Sequence, residues 1–242
     1  MTEGERISKG IFIIGTDTGV GKTVVGAGLA LCLKDRGIKV GVMKPVATGC
    51  MASNDHLYSQ DAIYLFEAAE NEYPLLSSPV RFRNPLAPNV ASEIEKKPLD
   101  LKKVFWAYRE IREIYNFIVV EGIGGLLVPF TNNYFVADLV KEFDLPVVIV
   151  ARTGLGTINH TLLTVQAAKN RGLQVKGIIL NGQPESNLSL AEKTNPRIVA
   201  DLTGVPVLGV LPKLDDVDVE RLMFGSLKKV FAAKINIDAI LS

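Results

Sequence analysis

Cysteine, histidine and tryptophan are nearly missing from this 242-residue chain, at two, two and one residues. Cys32 in an apolar helical pattern and Cys50 in a loop are too few for a disulfide framework or a zinc centre, and they read as free thiols. His56 stands in a polar loop and His160 inside a helical pattern, so neither has a catalytic context. No apolar run reaches the roughly 20 residues that a membrane span requires. The opening segment "MTEGERISKG" lacks the apolar core of an export signal, so the cytoplasm is the expected compartment. An excess of either charge is also missing: 27 Lys and Arg face 26 Asp and Glu, for a net charge of +1. That balance leaves no broad footprint for nucleic acid or an anionic membrane surface. No internal repeat or low-complexity tract interrupts the chain.

What is there is an ordinary globular balance, 48% hydrophobic and 22% charged, enough for one large domain expected to span residues 1–242. Short apolar runs alternate with amphipathic stretches. The runs at 11–14, 39–45, 117–120, 147–151, 175–180 and 207–210 read as strands. Between them, "KTVVGAGLALCLKDRG" reads as a helix stopped by Gly37, "SQDAIYLFEAAE" as one capped by Ser59, and "LDLKKVFWAYREIREIY" as a third. Further helices are expected near 135–143, 157–170 and 188–203, and "FRNPLAPN" is expected to be a loop. Strands alternating with helices imply right-handed βαβ units. The expected fold is a three-layer α/β/α domain of the P-loop type, with a mostly parallel sheet flanked by helices. Runs such as "PVVIVA" suit strands buried on both faces. In such sheets ligands bind beyond the carboxyl ends of the strands, which directs attention to the residues after each one.

After the first strand comes "GTDTGVGKT", Gly15 to Thr23. The usual phosphate-binding loop has four residues between its first Gly and the Gly-Lys pair; here five lie between Gly15 and Gly21. The strand–loop–helix context still suits phosphate. Backbone N–H groups of Gly19, Val20 and Gly21 would cradle it at a helix start, Lys22 would reach the β and γ phosphates, and the Thr23 hydroxyl would ligate Mg²⁺. After the second strand stand Lys44 and Thr48 in "KPVATG"; Lys44 is either a solvated charge or, taking the two strands as neighbours, a cation in the same crevice. After the third comes "EGIGG". Glu121 ends the apolar run where a P-loop enzyme keeps its second Mg²⁺-side carboxylate, and Gly122 and Gly124, around Ile123, would let a ligand approach the backbone. Asp61 is either a first-turn carboxylate favoured by the helix dipole or a metal ligand. The turn at Gly156, Thr157, Ile158 and Asn159 is either a plain helix cap or an anion site. Asn181 either reads a base edge or serves a turn.

Taken together, "GTDTGVGKT", "KPVATG", "EGIGG", "GLGTINHTLLT" and "ILNG" resemble the dethiobiotin synthetase family, in the family's order from residue 11 to about 182. The longer loop is that family's own form of the motif. Beyond Asn181 the match is weaker and runs mainly through "VLGVLPKL". The resemblance implies an ATP- and Mg²⁺-dependent ligase of biotin biosynthesis. One amine of 7,8-diaminononanoate takes up CO₂, ATP phosphorylates the carbamate, and the other amine closes a cyclic urea. It implies Lys44, Lys22, Thr18 and Asp17 as catalytic groups, and Thr23, Asp61 and Glu121 as Mg²⁺ ligands. It places Asn181 and Gly182 with Pro212, Lys213 and Leu214 against the nucleotide. Thr48 and Lys44 would hold the diamine or carbamate, and the turn Gly156–Asn159 would bind the substrate carboxylate from a partner subunit, which implies a homodimer. The chief local departure is Gly19, glycine where relatives often carry a larger residue. A partner-regulated ATPase switch of the partitioning type is the competing reading. Such proteins carry an extra lysine early in the loop, where this chain has Thr16, Asp17 and Thr18.

Overall fold

The computed structural model describes residues 9–53 and 56–242. Strand β1 (Lys9–Gly15) runs through the glycine loop into α1 (Lys22–Asp35), followed by β2 (Val40–Met43) and α2 (Gln60–Ala69). Next come α3 (Leu101–Ile114), β3 (Phe117–Gly125), α4 (Val136–Phe143), β4 (Val147–Arg152) and α5 (Thr157–Asn170). The chain ends with β5 (Val175–Gln183), α6 (Leu190–Thr203), β6 (Val207–Pro212) and α7 (Leu227–Lys234), then a short helix Ile237–Leu241.

Local chemistry sets the helix boundaries. The Ser59 hydroxyl accepts the Ala62 N–H at 3.2 Å, and Asp100 accepts the Lys103 N–H at 3.1 Å, so α2 and α3 start on side-chain caps. Ser189 and Glu192 form a reciprocal capping box for α6, and Gly204 closes that helix in the left-handed region. On α3, Val104, Ala107, Tyr108 and Ile111 recur at helical spacing and are buried, leaving the intervening charges outside.

The six strands form one sheet in the order β6-β5-β4-β1-β3-β2, and every pairing is parallel. Alternation along β1 sends Ile11 and Ile13 to one core, with α1, α2 and α7, and Phe12 and Ile14 to the other, with α3, α4, α5 and α6. That division is the three-layer architecture expected from the sequence. The chain leaves β1 for the edge strand β2, returns to β3, and then passes to β4 on the far side of β1. Connections diverging on either side of β1 open a crevice at its carboxyl end.

Three features depart from the sequence reading. β2 does not neighbour β1: β3 lies between them. The stretch expected as a loop at 82–89 already holds the start of a helix, Pro88–Ile94, with Pro88 in the first turn where its missing N–H is harmless. Small two-stranded ladders, such as Met51–Ser53 with His56–Tyr58, and the two C-terminal helices were not anticipated. Among the described residues no helix is long and apolar enough to cross a membrane.

Candidate active site

The glycine loop between β1 and α1 is shaped by backbone torsion. Gly19 and Gly21 take φ values of 70° and 91°, in the left-handed region. Gly21 is the N-cap of α1 and offers no side chain to the helix's free N–H groups, so they remain open to an anion. Lys22, only 6% exposed, folds back to donate to the Asp17 carbonyl at 3.2 Å. From β5, the Asn181 amide donates to the Val20 carbonyl at 3.0 Å and packs against Gly21. Asn181 therefore lies at a strand end and braces the loop rather than forming a turn.

Strand register brings the acidic and basic groups together. On β3, Glu121 lies beside Ile13 of β1, just short of the loop. On β2, Met43 pairs with Val120, so Lys44 and Glu121 are the next residues along their strands. Lys44 reaches the crevice through its pairing with β3, not by direct adjacency to β1. Its ammonium bonds to Glu121 Oε1 and, at 2.9 Å, to Asp61 Oδ2 at the start of α2. Thr23 Oγ1 donates to the same Glu121 oxygen at 3.0 Å.

The electrostatics follow from burial. Lys44 and Glu121 are 4% and 1% exposed. Burial works against the Lys44 ammonium, but the Glu121 and Asp61 carboxylates outweigh it and hold Lys44 above the usual lysine range. Burial pushes the Glu121 carboxyl up, and Lys44 opposes that rise. Burial also works against the Asp61 carboxylate, yet the charge and hydrogen bond of Lys44 prevail and hold it below the usual range. Burial lowers Lys22, with Glu121 acting in the other direction. The four groups titrate as a coupled set, with the proton of the central pair kept on Lys44.

These residues line one cavity of about 760 Å³, within the range of small-molecule sites. Thr18, Gly19, Gly21, Lys22, Thr23, Lys44, Thr48, Asp61, Glu121, Ile123 and Gly124 all border it. So do Pro85 to Pro88, Val128, Val219 and Glu220, to which the sequence reading gave no role. The proline pair in "FRNPLAPN" was a visible signal for a shaped loop. Val219 and Glu220 carried none, because Gln60 at the start of α2 holds them in place by donating to both carbonyls.

Other candidates lie elsewhere. The Asp17 carboxylate accepts its neighbour's N–H, from Thr18, at 2.7 Å and lies 3.9 Å from Arg152. The turn before α5 stands outside the cavity lining: Gly156 caps the helix with φ 87°, the buried Thr157 hydroxyl donates to the Arg152 carbonyl at 2.6 Å, Ile158 packs partly buried against the core, and Asn159 is exposed. Pro212 ends β6, and Lys213 and Leu214 follow it, tied to β5 by the Lys213 N–H to the Gln183 carbonyl at 2.7 Å. Gly182 sits in open space with φ 82°.

Thr23, Asp61 and Glu121 present a hydroxyl and two carboxylates, a hard-oxygen donor set suited to Mg²⁺. Glu121 Oε2 is buried without a hydrogen-bond partner, an unmet acceptor that a cation would satisfy. Among the described residues no cluster of three or more Asp, Glu, His or Cys could hold a metal alone. A divalent ion here would take its remaining ligands from water and phosphate, as Mg²⁺ ordinarily does.

Comparison with known proteins separates the two readings. A family model described as "AAA domain" matches residues 9–221. The ATP-dependent dethiobiotin synthetase BioD of Thermodesulfovibrio yellowstonii is 41% identical over 241 residues, covering 96% of this chain and 98% of that protein. The chain belongs to the ATP-dependent dethiobiotin synthetase family. A second member, from Bacillus licheniformis, is 45% identical over 211 residues, covering 86% and 87% of the two chains. Among solved structures, the septum site-determining protein MinD of Pyrococcus horikoshii, complexed with Mg-ADP, superposes with a TM-score of 0.55 over 96% of this chain and 94% of its own at 17% identity. That likeness establishes the shared P-loop fold, while the family assignment rests on the synthetases.

Proposed function

We propose that this chain is an ATP-dependent ligase that carboxylates 7,8-diaminononanoate with CO₂ and closes the ring to dethiobiotin, releasing ADP and phosphate. The observation that carries the reading is the convergence of Lys22, Lys44 and the open start of α1 on one cavity that also holds Thr48. The reaction must bring an anionic carbamate against the anionic γ-phosphate, and cations already in place lower that barrier. The open N–H groups of α1 and Lys22 bind the β and γ phosphates. Lys44 stands where carbamate oxygen and phosphoryl group meet. The carbamate oxygen attacks the γ-phosphorus as ADP leaves. The second amine then attacks the carbamoyl carbon and phosphate departs. Thr18, at the loop, contacts the transferring group, Asp17 orients an amine, and Thr48 hydrogen-bonds the diamine or carbamate. Thr23, Asp61 and Glu121 would hold Mg²⁺, which supplies charge neutralisation between the phosphates.

Asn181, Gly182 and the segment Pro212–Leu214 flank the nucleotide. The turn Gly156–Asn159, exposed at Gly156 and Asn159, suits a substrate carboxylate delivered across a homodimer interface, with Leu155, 94% exposed, beside it. The working compartment is the cytoplasm.

The direct test measures ADP release from Mg²⁺-ATP and bicarbonate with and without 7,8-diaminononanoate, with mass spectrometry of the product. Diamine-dependent ADP matched by a cyclic urea is the expected result. ATP turnover indifferent to the diamine would overturn the proposal and favour a switch ATPase. Thr48→Val is expected to weaken the diamine by about 1–2 kcal/mol, the loss of one hydrogen bond, and ATP by less. Equal weakening of both in calorimetry would make Thr48 a structural residue.

A further inference from the structure

A second recess lies on the far side of the first turn of α2 from Asp61. Its larger part, about 330 Å³, is bounded by Ile63 and Phe66 of α2 and by Leu75, and is mostly apolar. Through Leu75 and Arg81 it continues into a polar part of about 230 Å³ edged by Lys97 and Lys103. Among the described residues, no Asp or Glu lines either part. In a chain whose charges nearly cancel, three cations around one mouth, with no acid among the described residues that line it, are a local imbalance. Arg81 is its inner member. The guanidinium is half-buried, with no carboxylate paired to it among the described residues. Its Nη1 donates to the Leu57 carbonyl at 2.9 Å, and its buried Nε has no partner. Burial lowers the guanidinium from its usual range. Lys97 is held at the mouth by donating to the Arg81 carbonyl at 2.9 Å, its charge over the Phe82 ring.

A cationic mouth opening into an apolar chamber complements an amphipathic anion: guanidinium and ammonium groups take an oxyanion head, and the chamber takes the tail. The chamber is the larger part, so the ligand is mainly apolar with one compact charge. We propose that this recess is a second ligand site, separate from the phosphate-loop cavity, that binds a carboxylate carried on a short alkyl chain. Two sources share that chemistry, simple fatty acids and the ring-bearing carboxylate products of this family's reaction. The inference does not depend on the proposed activity.

The test is calorimetric titration of the full chain with octanoate, with dethiobiotin as a second probe and octylamine as the charge control. The phosphate-loop cavity is filled throughout with a non-hydrolysable ATP analogue and Mg²⁺. Saturable octanoate binding, with none for octylamine, is expected. Binding of dethiobiotin in place of octanoate would assign the site to the product rather than to fatty acids. Lys103→Glu removes an exposed mouth charge and adds its opposite, and should weaken binding about tenfold. Ile63→Trp fills the chamber and should abolish binding. Arg81→Gln should do the same, and because Arg81 also secures Leu57, the Lys103 and Ile63 variants keep the test independent of folding. No saturable binding of either carboxylate, equal binding by wild type and both independent variants, or binding only when the active site is empty would each overturn the proposal.

Discussion

Lys44→Gln is expected to lower turnover by about a hundredfold or more, the scale seen when one preorganised charge donor is removed from a reacting centre. ATP binding should stay largely intact, because Lys22 and the open start of α1 are untouched. The same change acts on the fold. Lys44 is the hydrogen-bond partner of both Glu121, 1% exposed, and Asp61. Removing one member of a buried pair leaves the other charge uncompensated, at about 3–5 kcal/mol. Asp61, with its side chain 43% exposed, is partly rescued by solvent, so Glu121 carries most of that loss. The pH dependence has a definite sign. Burial already raises the Glu121 carboxyl above its ordinary value of 4.5, and without Lys44 it rises further. A carboxyl raised in the folded state binds more protons there than in the unfolded chain, so stability falls as pH rises through that window. The deficit of the variant should be full above the raised value and should close as pH drops below 4.5, where Glu121 is protonated in both states. Urea titrations of wild type and variant at neutral and acid pH would measure it. A divalent cation and Lys44 contend for the same carboxylates, so Mg²⁺ without nucleotide should raise the melting temperature of the variant more than that of wild type. Near-normal turnover by the variant would remove Lys44 from the mechanism.

The Lys44–Glu121 pair illustrates how far the sequence could be read. Both residues follow apolar runs, and the rule that ligands gather beyond strand ends was enough to single them out. Their hydrogen bond was not visible, because it depends on β3 inserting between β1 and β2. Strand order is a non-local outcome, set by which helices cover which faces, and local periodicity carries no trace of it. The six strands and the main helices were legible for the opposite reason: continuous apolar runs and helical stripes such as Val104, Ala107, Tyr108 and Ile111 are local. Asp61 was ambiguous alone, since a first-turn carboxylate is satisfied by the helix dipole; Lys44, reaching it from the end of β2, is what ties it to the site. Asn181 was ambiguous because an isolated Asn after a strand serves a turn as readily as it reads a base edge, and only its bond to Val20, 161 positions away, gives it a partner. The cavity wall at Val219–Glu220 arrives through its tertiary contact with α2, and no motif marks it, whereas Pro85–Pro88 carried only the loop signal of its prolines.

Gly21→Ala is expected to disable nucleotide binding while leaving the fold in place, and its two causes can be separated. At φ 91° Gly21 holds a conformation that costs an L-residue about 1–2 kcal/mol. An added Cβ would also collide with the Asn181 amide, which is committed to the Val20 carbonyl. The loop can relieve the collision by expelling Asn181, losing that bond, or by turning Gly21 out of the left-handed region, which redirects the first N–H groups of α1 away from the phosphates. Either route removes the preorganisation that an anion site at a helix start depends on. The nucleotide dissociation constant should rise about a hundredfold, equivalent to roughly 2.7 kcal/mol. Far-UV circular dichroism should be unchanged, since both apolar cores are built from other residues. Asn181→Ala alone loses one hydrogen bond and should weaken nucleotide binding by about 1 kcal/mol. Combined with Gly21→Ala, it removes the collision but not the torsional strain. The double variant should therefore bind better than Gly21→Ala and worse than Asn181→Ala, an interaction between neighbours that a double-mutant cycle reads directly. Strictly additive losses would mean that Asn181 does not brace the loop, and wild-type affinity in Gly21→Ala would mean that the loop conformation described here is not the one that binds phosphate.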